Sequence, residues 1–524
     1  MRRVHAPSVM RRTFAGGRAG AVAAVFLLFA LAACGSRGER WNQSLVTHGP
    51  VAIGDRLAWL DETLGLLVVL DPASEEVPGC VTTVAAPRGL AAAGGDALVT
   101  GMRGSEPVVQ RIHPGSGNSA EIILPAAFDR IAVSPDGAHA LALHDPAQAP
   151  RAGIPAARNL NEFAVVDLGA GESTRLVLQT GAVAPVGVRF TADGSLAAVL
   201  FDRAVAIVEM RKPYPVVTVP LKLPSGQPLR LQEAVLAADG SHLFLRTSGL
   251  DDVISIAIDR GAGSLSASVN FLGPEGGGTL LAIAVPVEPA GSVAALYAGR
   301  AVLLDADGDT TRERSVALAG TPNRIASLGD GLLLLHGDVG QSGSAYVAAW
   351  DPAAARLAQD RLAGPILAAP QVAAGVAFFA TSAADAGGAL TAVTAEREEL
   401  RLRLRLRPVG LDGVPVATAI DPDDGTLFVG LDVVRKGSDA APIPGDEDEG
   451  KTGALVSVGA ADLSIHGFTL DRTIADLGLV GAYVYALHPF ELGEITAAPK
   501  GDLRRGAAMQ FDGVLLTGMM GCER

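Results

Sequence analysis

Aromatic side chains make up only 4% of the 524 residues, and there are three tryptophans and three cysteines. With so few rings, a core has to be built from Ala, Val and Leu, and these lift the apolar share to 49%. The cysteines, Cys34, Cys80 and Cys522, have no zinc-ligand spacing. No GxSxG nucleophile elbow and no HExxH helix occurs. His139 and His144, five apart, would face opposite sides of a strand. After residue 33 no apolar run approaches the roughly 20 residues that cross a bilayer as a helix. Basic charge is also scarce: 42 Lys and Arg stand against 56 Asp and Glu, a net charge of −14. A chain this acidic is repelled by phosphate backbones, which argues against a nucleic-acid partner.

At the N-terminus the balance is reversed. Residues 1–33 hold five arginines and no acid, and an apolar run extends from Ala19 to Ala33. At about 15 residues it is too short for a permanent membrane helix and suits the h-region of a cleaved signal peptide. Arg11-Arg12-Thr13-Phe14 is read as part of its basic n-region, although a twin-arginine export signal has the same look. The run ends in Leu31-Ala32-Ala33-Cys34-Gly35, which resembles the lipobox of bacterial lipoproteins. The resemblance implies cleavage before Cys34, lipid on its sulfur and a short tether over residues 34–44. It also implies a cell-envelope location, at the outer membrane rather than the inner. Cleavage would take the net charge from −14 to −19.

Beyond the tether, one pattern runs the length of the chain. Ser134-Pro135-Asp136-Gly137 sits between the apolar runs 131–133 and 138–143. Pro presets φ, Asp bonds the backbone ahead of it and Gly tolerates positive φ, so a hairpin is predicted. The turn recurs as Thr191–Gly194, Ala237–Gly240 and Asp421–Gly425. A second signature is an apolar strand ending in an acid before another turn. Asp167, Glu209, Asp259, Asp305 and Asp351 occupy that place at spacings of 42, 50, 46 and 46 residues. Four short strands per forty to fifty residues predict propeller blades.

These turns resemble those of YVTN and PQQ-type β-propeller repeats, with an SPDG-like turn between inner strands and a VDxxxG-like turn before the outermost one. The fold expected is an all-β propeller over residues 45–524. Nine or ten units fit by count, whereas propellers usually have four to eight blades and seven or eight is the commoner outcome. PQQ enzymes use tryptophan-rich blades, and three tryptophans argue against that cofactor; no other cofactor is indicated. The competing reading is an α/β fold, with 351–362 as a helix.

Several local matches have plainer explanations. Gly445–Thr452 fits the phosphate-loop pattern GxxxxGK[ST], yet four carboxylates fill the cradle and a strand-like run follows it. ATP is therefore not expected, and 435–453 is read as an acidic insertion. Asp305, Asp307 and Asp309 alternate as calcium ligands do, but Thr310 and Val316 stand where an EF-hand needs Gly and a bidentate acid. They are weak metal candidates beside a plain turn. Arg401, Arg403, Arg405 and Arg407 alternate with leucines, as on an outer strand whose charges discourage edge pairing.

Because the first and last blades of a closed ring are neighbours, Cys80 and Cys522 are expected to form a disulfide. No catalytic residue can be named. The function expected is a non-catalytic binding or scaffolding lipoprotein with envelope proteins or peptides as partners, docking on a propeller face or on the insertions at 145–161 and 435–453. The alternative is a propeller hydrolase or lactonase acting at the channel mouth.

Overall fold

The computed structural model describes residues 2–4 and 47–515, except for 75–78, 149–158, 179–183, 262–263, 341–344, 383–387, 435–450 and 490–492. Cys34 with its lipobox, Cys522, the centre of the 145–161 insertion and all but the end of the 435–453 insertion lie outside the described residues. Among the described residues there is no α-helix. The chain forms ten antiparallel sheets, each a meander of four consecutive strands.

We number these blades 1 to 10 in chain order: 47–82, 90–123, 130–177, 187–220, 230–272, 280–317, 324–361, 371–410, 414–470 and 476–511. Ten blades agree with the count of units and exceed the seven or eight of the commoner rings. Arg2–Val4 lies parallel to Met509–Phe511 as a fifth strand of blade 10.

The two turn chemistries do what the residues require. Ser134–Gly137 joins the first and second strands of blade 3, with Gly137 at φ +68° and the Ser134 hydroxyl bonded to both Asp136 and the His139 carbonyl. Gly194, Gly240 and Gly425 repeat the positive φ in blades 4, 5 and 9. The repeated acid ends the third strand in blades 3, 4, 6 and 7, and Asp259 stands two residues before the end of its strand in blade 5. Asp167 Oδ1 accepts from Ala170 N at 2.8 Å and Asp351 Oδ1 from Ala354 N at 3.1 Å, which bends the chain into the fourth strand. The segment 351–362, the candidate helix, is this turn followed by the strand Arg356–Arg361.

Middle strands are buried on both faces. Leu196–Leu200 and Ala204–Glu209 of blade 4 are buried throughout, because each face packs on a neighbouring blade. Fourth strands such as Glu172–Val177 are mostly exposed or half-buried. Among the described residues the apolar core falls into ten clusters, each bridging two adjacent blades. One of them joins Leu57, Trp59, Val68 and Leu70 of blade 1 to Val480, Tyr485, Ile495 and Phe511 of blade 10, so the ring is closed by side-chain packing.

Ten blades share the circle at about 36° each, against about 51° for seven. The sheets therefore stack more nearly parallel, and the gap between them flares less outward. That geometry suits the Ala, Val and Leu of this chain better than broad aromatic rings.

Candidate functional site

Since all blades share one topology, their first strands line the central channel and start from the same face. That face also carries the ends of the second strands and the starts of the third. The channel walls are mostly small and apolar: Ala91 and Ala92 in blade 2, Ala132 in blade 3, Ala284 in blade 6, Ala326 in blade 7 and Ala373 in blade 8 are half-buried.

Charge on the described first strands is confined to four arginines and two carboxylates. Arg130, Arg230 and Arg324 are the opening residues of the first strands of blades 3, 5 and 7; counted from the equivalent hairpin turns, Glu233 and not Arg230 stands level with Arg130. Arg189 lies one step deeper, as the third residue of Gly187–Phe190 in blade 4. The acids are Glu233 in blade 5 and Asp476 in blade 10, half a ring apart.

The partners of these arginines are sparse. Arg324 meets Asp338 with Nε and Nη2 at 3.2–3.3 Å. Arg230 shares Asp202 with Arg203, at 3.8 and 3.5 Å. Glu233 is taken by Arg246 of the second strand at 3.0 Å, and Arg246 also bonds Gln232. Among the described residues Arg189 donates only to the carbonyl of Val188 at 3.2 Å, and Arg130 has no hydrogen-bond or ionic partner. Arginines and carboxylates thus share this mouth, and no motif in the sequence announces the mixture, because the residues arrive singly from separate repeats.

A second polar group is sealed between blades 2 and 3 below the same face. His144, 2% exposed, stands with Nδ1 4.0 Å from Asp129 and Nε2 3.4 Å from Glu162, and its ring lies 4.6 Å from that of Phe128. Arg88 bonds Gln148 at 2.9 Å and lies 3.9 Å from Asp129, while Arg175 binds Glu162 from the outer strand. This acid–His–acid chain has the residues of a proton relay, with Asp129 the more exposed end at 18%. His139 points the other way, edge-on to Tyr214, as the five-residue spacing requires.

The candidates named from sequence fare differently. Asp305 Oδ1 accepts from Asp307 N and Oδ2 binds Arg312 at 3.1 Å, while Asp309 caps a short 3-10 turn through Thr311 and also meets Arg312. Asp305 and Asp309 border a cavity of about 110 Å³, and a cation there would have to displace Arg312. Among the described residues no group of three or more His, Cys, Asp or Glu is placed to hold a metal.

Lys451–Val458 is the third strand of blade 9, so the phosphate-loop look-alike runs into a strand rather than a helix, and the acidic insertion ends before Lys451. Leu402–Gly410, with its arginine row, is the outermost strand of blade 8. Cys80 is half-buried in Gly79–Thr82, the outermost strand of blade 1, beside a cleft of about 350 Å³ that Arg56 and Asp71 also line.

No family model matches the chain, and neither does any curated protein. Solved β-propeller structures resemble it at the level of fold. Dipeptidyl peptidase 4 of Porphyromonas gingivalis is 14% identical, with 83% of this chain and 61% of that one covered and a TM-score of 0.44. The dihydro-heme d1 dehydrogenase NirN is 13% identical over 71% of this chain and 73% of its own, at 0.40. The WD40 domain of SCAP from fission yeast is 12% identical over 70% and 90%, at 0.38.

Proposed function

We propose that this protein is a lipid-anchored, non-catalytic binding or scaffolding protein of the bacterial cell envelope, held at the outer membrane through Cys34 with its propeller as the docking surface. The observation that carries the binding reading is the channel wall, which offers small apolar side chains and arginines at one mouth. The alternative, a hydrolase or lactonase, needs titratable groups that converge; the described first strands bring His48, held by Glu62 at 2.6 Å in blade 1, Asp476 in the neighbouring blade 10 and Glu233 half a ring away.

The anchor reading rests on Leu31-Ala32-Ala33-Cys34-Gly35 behind its basic and apolar segments. Two or three acyl chains hold a protein stably on a membrane, and a tether over residues 34–44 gives the ring a reach of at most roughly 40 Å from it. Cleavage before Cys34 also removes Arg2–Val4 from the edge of blade 10. In cells fed labelled fatty acid, the wild-type chain should be labelled and membrane-bound, and Cys34→Ser neither. Label persisting on Cys34→Ser would overturn the assignment.

A thioether on Cys34 leaves Cys80 and Cys522 as the only pair able to form a disulfide. Cys80 pairs in register with Val68, which shares a core cluster with Leu515, seven residues before Cys522. Seven extended residues span up to about 24 Å, enough to return to the outer strand of blade 1. The bridge would fasten the closing interface of the ring. Stoichiometric alkylation of both thiols in unreduced, denatured protein would exclude it.

A further inference from the structure

We propose that the outer edge of blade 5, the strand Ser264–Leu272, is a docking site for an extended segment of a partner protein, added as an antiparallel fifth strand with a basic N-terminal end. The proposal deepens the binding reading above and rests on it.

Three observations point to this occupant. The first is an open edge. Ser264–Leu272 pairs along its whole length with Val253–Gly261 on one side, and among the described residues nothing pairs with it on the other. Its outward N–H and C=O groups are a template for another strand. Leu402–Gly410 of blade 8 is an outer strand of the same nine residues, yet it carries three arginines and a proline, whereas Ser264–Leu272 has no charge and no proline. Two other uncharged outer strands, Gly79–Thr82 and Val216–Pro220, have only four and five residues. Blade 10 shows that the ring has room for a fifth strand, since Arg2–Val4 pairs there with Met509–Phe511.

The second observation is alternation. Leu265, Ala267 and Phe271 are half-buried against the core between blades 4 and 5, with Val269 exposed beside them, while Ser266, Ser268 and Asn270 are exposed on the other face. Opposed residues of paired strands share a face, so the occupant sets apolar side chains beside the first row and hydroxyls or amides beside the second.

The third is charge. Val253 stands opposite Leu272, which puts Asp251 and Asp252 at that end of the edge, and the Asp252 carboxylate lies against Gly273. Among the described residues neither carboxylate has a hydrogen-bond or ionic partner. In antiparallel addition the N-terminal end of the occupant arrives at this corner, where a lysine, an arginine or a free amine meets both acids. A second copy of this chain fits less well. Two molecules of net charge −14 repel, and the basic residue nearest the matching end, Arg260, is bound to Ser195 and the Asp239 carbonyl of its own ring.

The test uses the full lipidated protein in detergent micelles. A peptide of two lysines followed by four Val-Thr pairs, with fluorescein at its C-terminus, is titrated by anisotropy. Beside it run a counterpart headed by two glutamates and one in which two of the threonines are Pro. The lysine-headed peptide should bind, the glutamate-headed one at least about tenfold more weakly, and the proline one not at all. Ser266→Arg/Ser268→Arg, which gives blade 5 the guard that blade 8 carries, should weaken binding by about tenfold or more. Asp251→Asn/Asp252→Asn leaves the strand untouched and should narrow the gap between the lysine and glutamate peptides to less than about threefold. Ser119→Arg/Glu121→Arg, on the outer strand of blade 2, should leave binding unchanged.

Folding is checked by matching thermal midpoints. Equal binding of the proline peptide or equal weakening by the blade 2 pair would overturn the proposal. So would a wild-type dimer, seen by light scattering, that Ser266→Arg/Ser268→Arg turns into a monomer, because the occupant would then be a second copy. A protein that ignores every peptide yet stays on membranes through Cys34 would defeat this edge and leave the anchored-binding reading in place. Cleavage of the peptide, seen by mass spectrometry, would defeat that reading itself.

Discussion

Two sets of arginines divide this molecule. Arg401, Arg403, Arg405 and Arg407 stand out in the sequence as an alternating row, and in the fold they are occupied. Arg401 binds Glu398 at 2.5 Å, Arg405 binds Glu396 at 2.6 Å, Arg403 lies 3.7 Å from Glu398, and Arg407 reaches the carbonyls of Ala460 and Ala461 on blade 9. Arg130, Arg189, Arg230 and Arg324 are scattered over nearly two hundred residues on separate first strands, where Arg324 and Arg230 pair with Asp338 and Asp202 while Arg130, among the described residues, has no such partner. A local pattern of charge therefore marked a satisfied edge, and the less satisfied arginines come from separate blades.

The comparison sharpens most at a third kind of arginine, one that joins blades. Arg397 of blade 8 donates Nε to Asp351 of blade 7 at 2.7 Å and Nη1 to the Asp330 carbonyl. The Asp351 side chain is only 3% exposed, and despite its burial this pair holds its carboxyl below the usual range. In Arg397→Met the carboxylate stays buried with a partner missing, so a loss of about 1–3 kcal/mol is expected from the urea midpoint. Arg130→Gln, which breaks no contact, should change stability by less than about 0.5 kcal/mol. A large loss in Arg130→Gln would make the rim arginine structural and remove the contrast.

The turns were legible in the sequence because their chemistry is local. Positive φ at Gly137, Gly194, Gly240 and Gly425 and the carboxylate of Asp167 or Asp351 over its own turn need only a few neighbouring residues. Counting those units gave nine or ten, and the structure has ten blades, more than the seven or eight of commoner rings. The scarcity of aromatic residues pointed only to a core of Ala, Val and Leu.

The rim was not legible. Nothing near Arg130 or Arg230 distinguishes it from any other strand-opening arginine until the strands are set side by side. The His144 chain was hidden for the same reason, with Arg88, Asp129 and Glu162 coming from separate blades or strands.

Acid should separate rim and edge next. His336, directly across the ladder from Arg324, and His488 in blade 10 are held below the ordinary value of 6.5, chiefly because burial disfavours the imidazolium. The unfolded chain takes up these protons near pH 6.5 and the folded chain only at lower pH. Their contribution to stability is therefore complete above about pH 6.5 and is lost as pH falls below it, at up to about 1.4 kcal/mol per pH unit for each proton. The thermal midpoint should drop between pH 7 and 5. The nearby Arg324 adds a smaller depression to His336, so Arg324→Gln should make the drop shallower. Arg405→Gln should leave the slope as it is, and a slope insensitive to Arg324 would place the rim charge too far away to matter.

The smallest effect is expected at the row the sequence made most conspicuous. Arg405 and Glu396 are 48% and 49% exposed, so water and salt screen their attraction and the pair is worth about 0–1 kcal/mol. Arg403→Gln/Arg405→Gln should shift the urea midpoint only slightly, and the shift should vanish at about 1 M salt, where charges interact over only about 3 Å. Their role lies at the free edge of blade 8, where Leu402–Gly410 pairs on one side with Gly388–Arg397. An uncharged edge invites a strand from another molecule, and long arginines on it make that approach repulsive. Arg403→Thr/Arg405→Thr keeps strand propensity and removes the repulsion. This variant should stay folded but self-associate, read as a concentration-dependent rise in mass by light scattering. A variant that stays monomeric would leave the outer row with no role beyond its surface ion pairs.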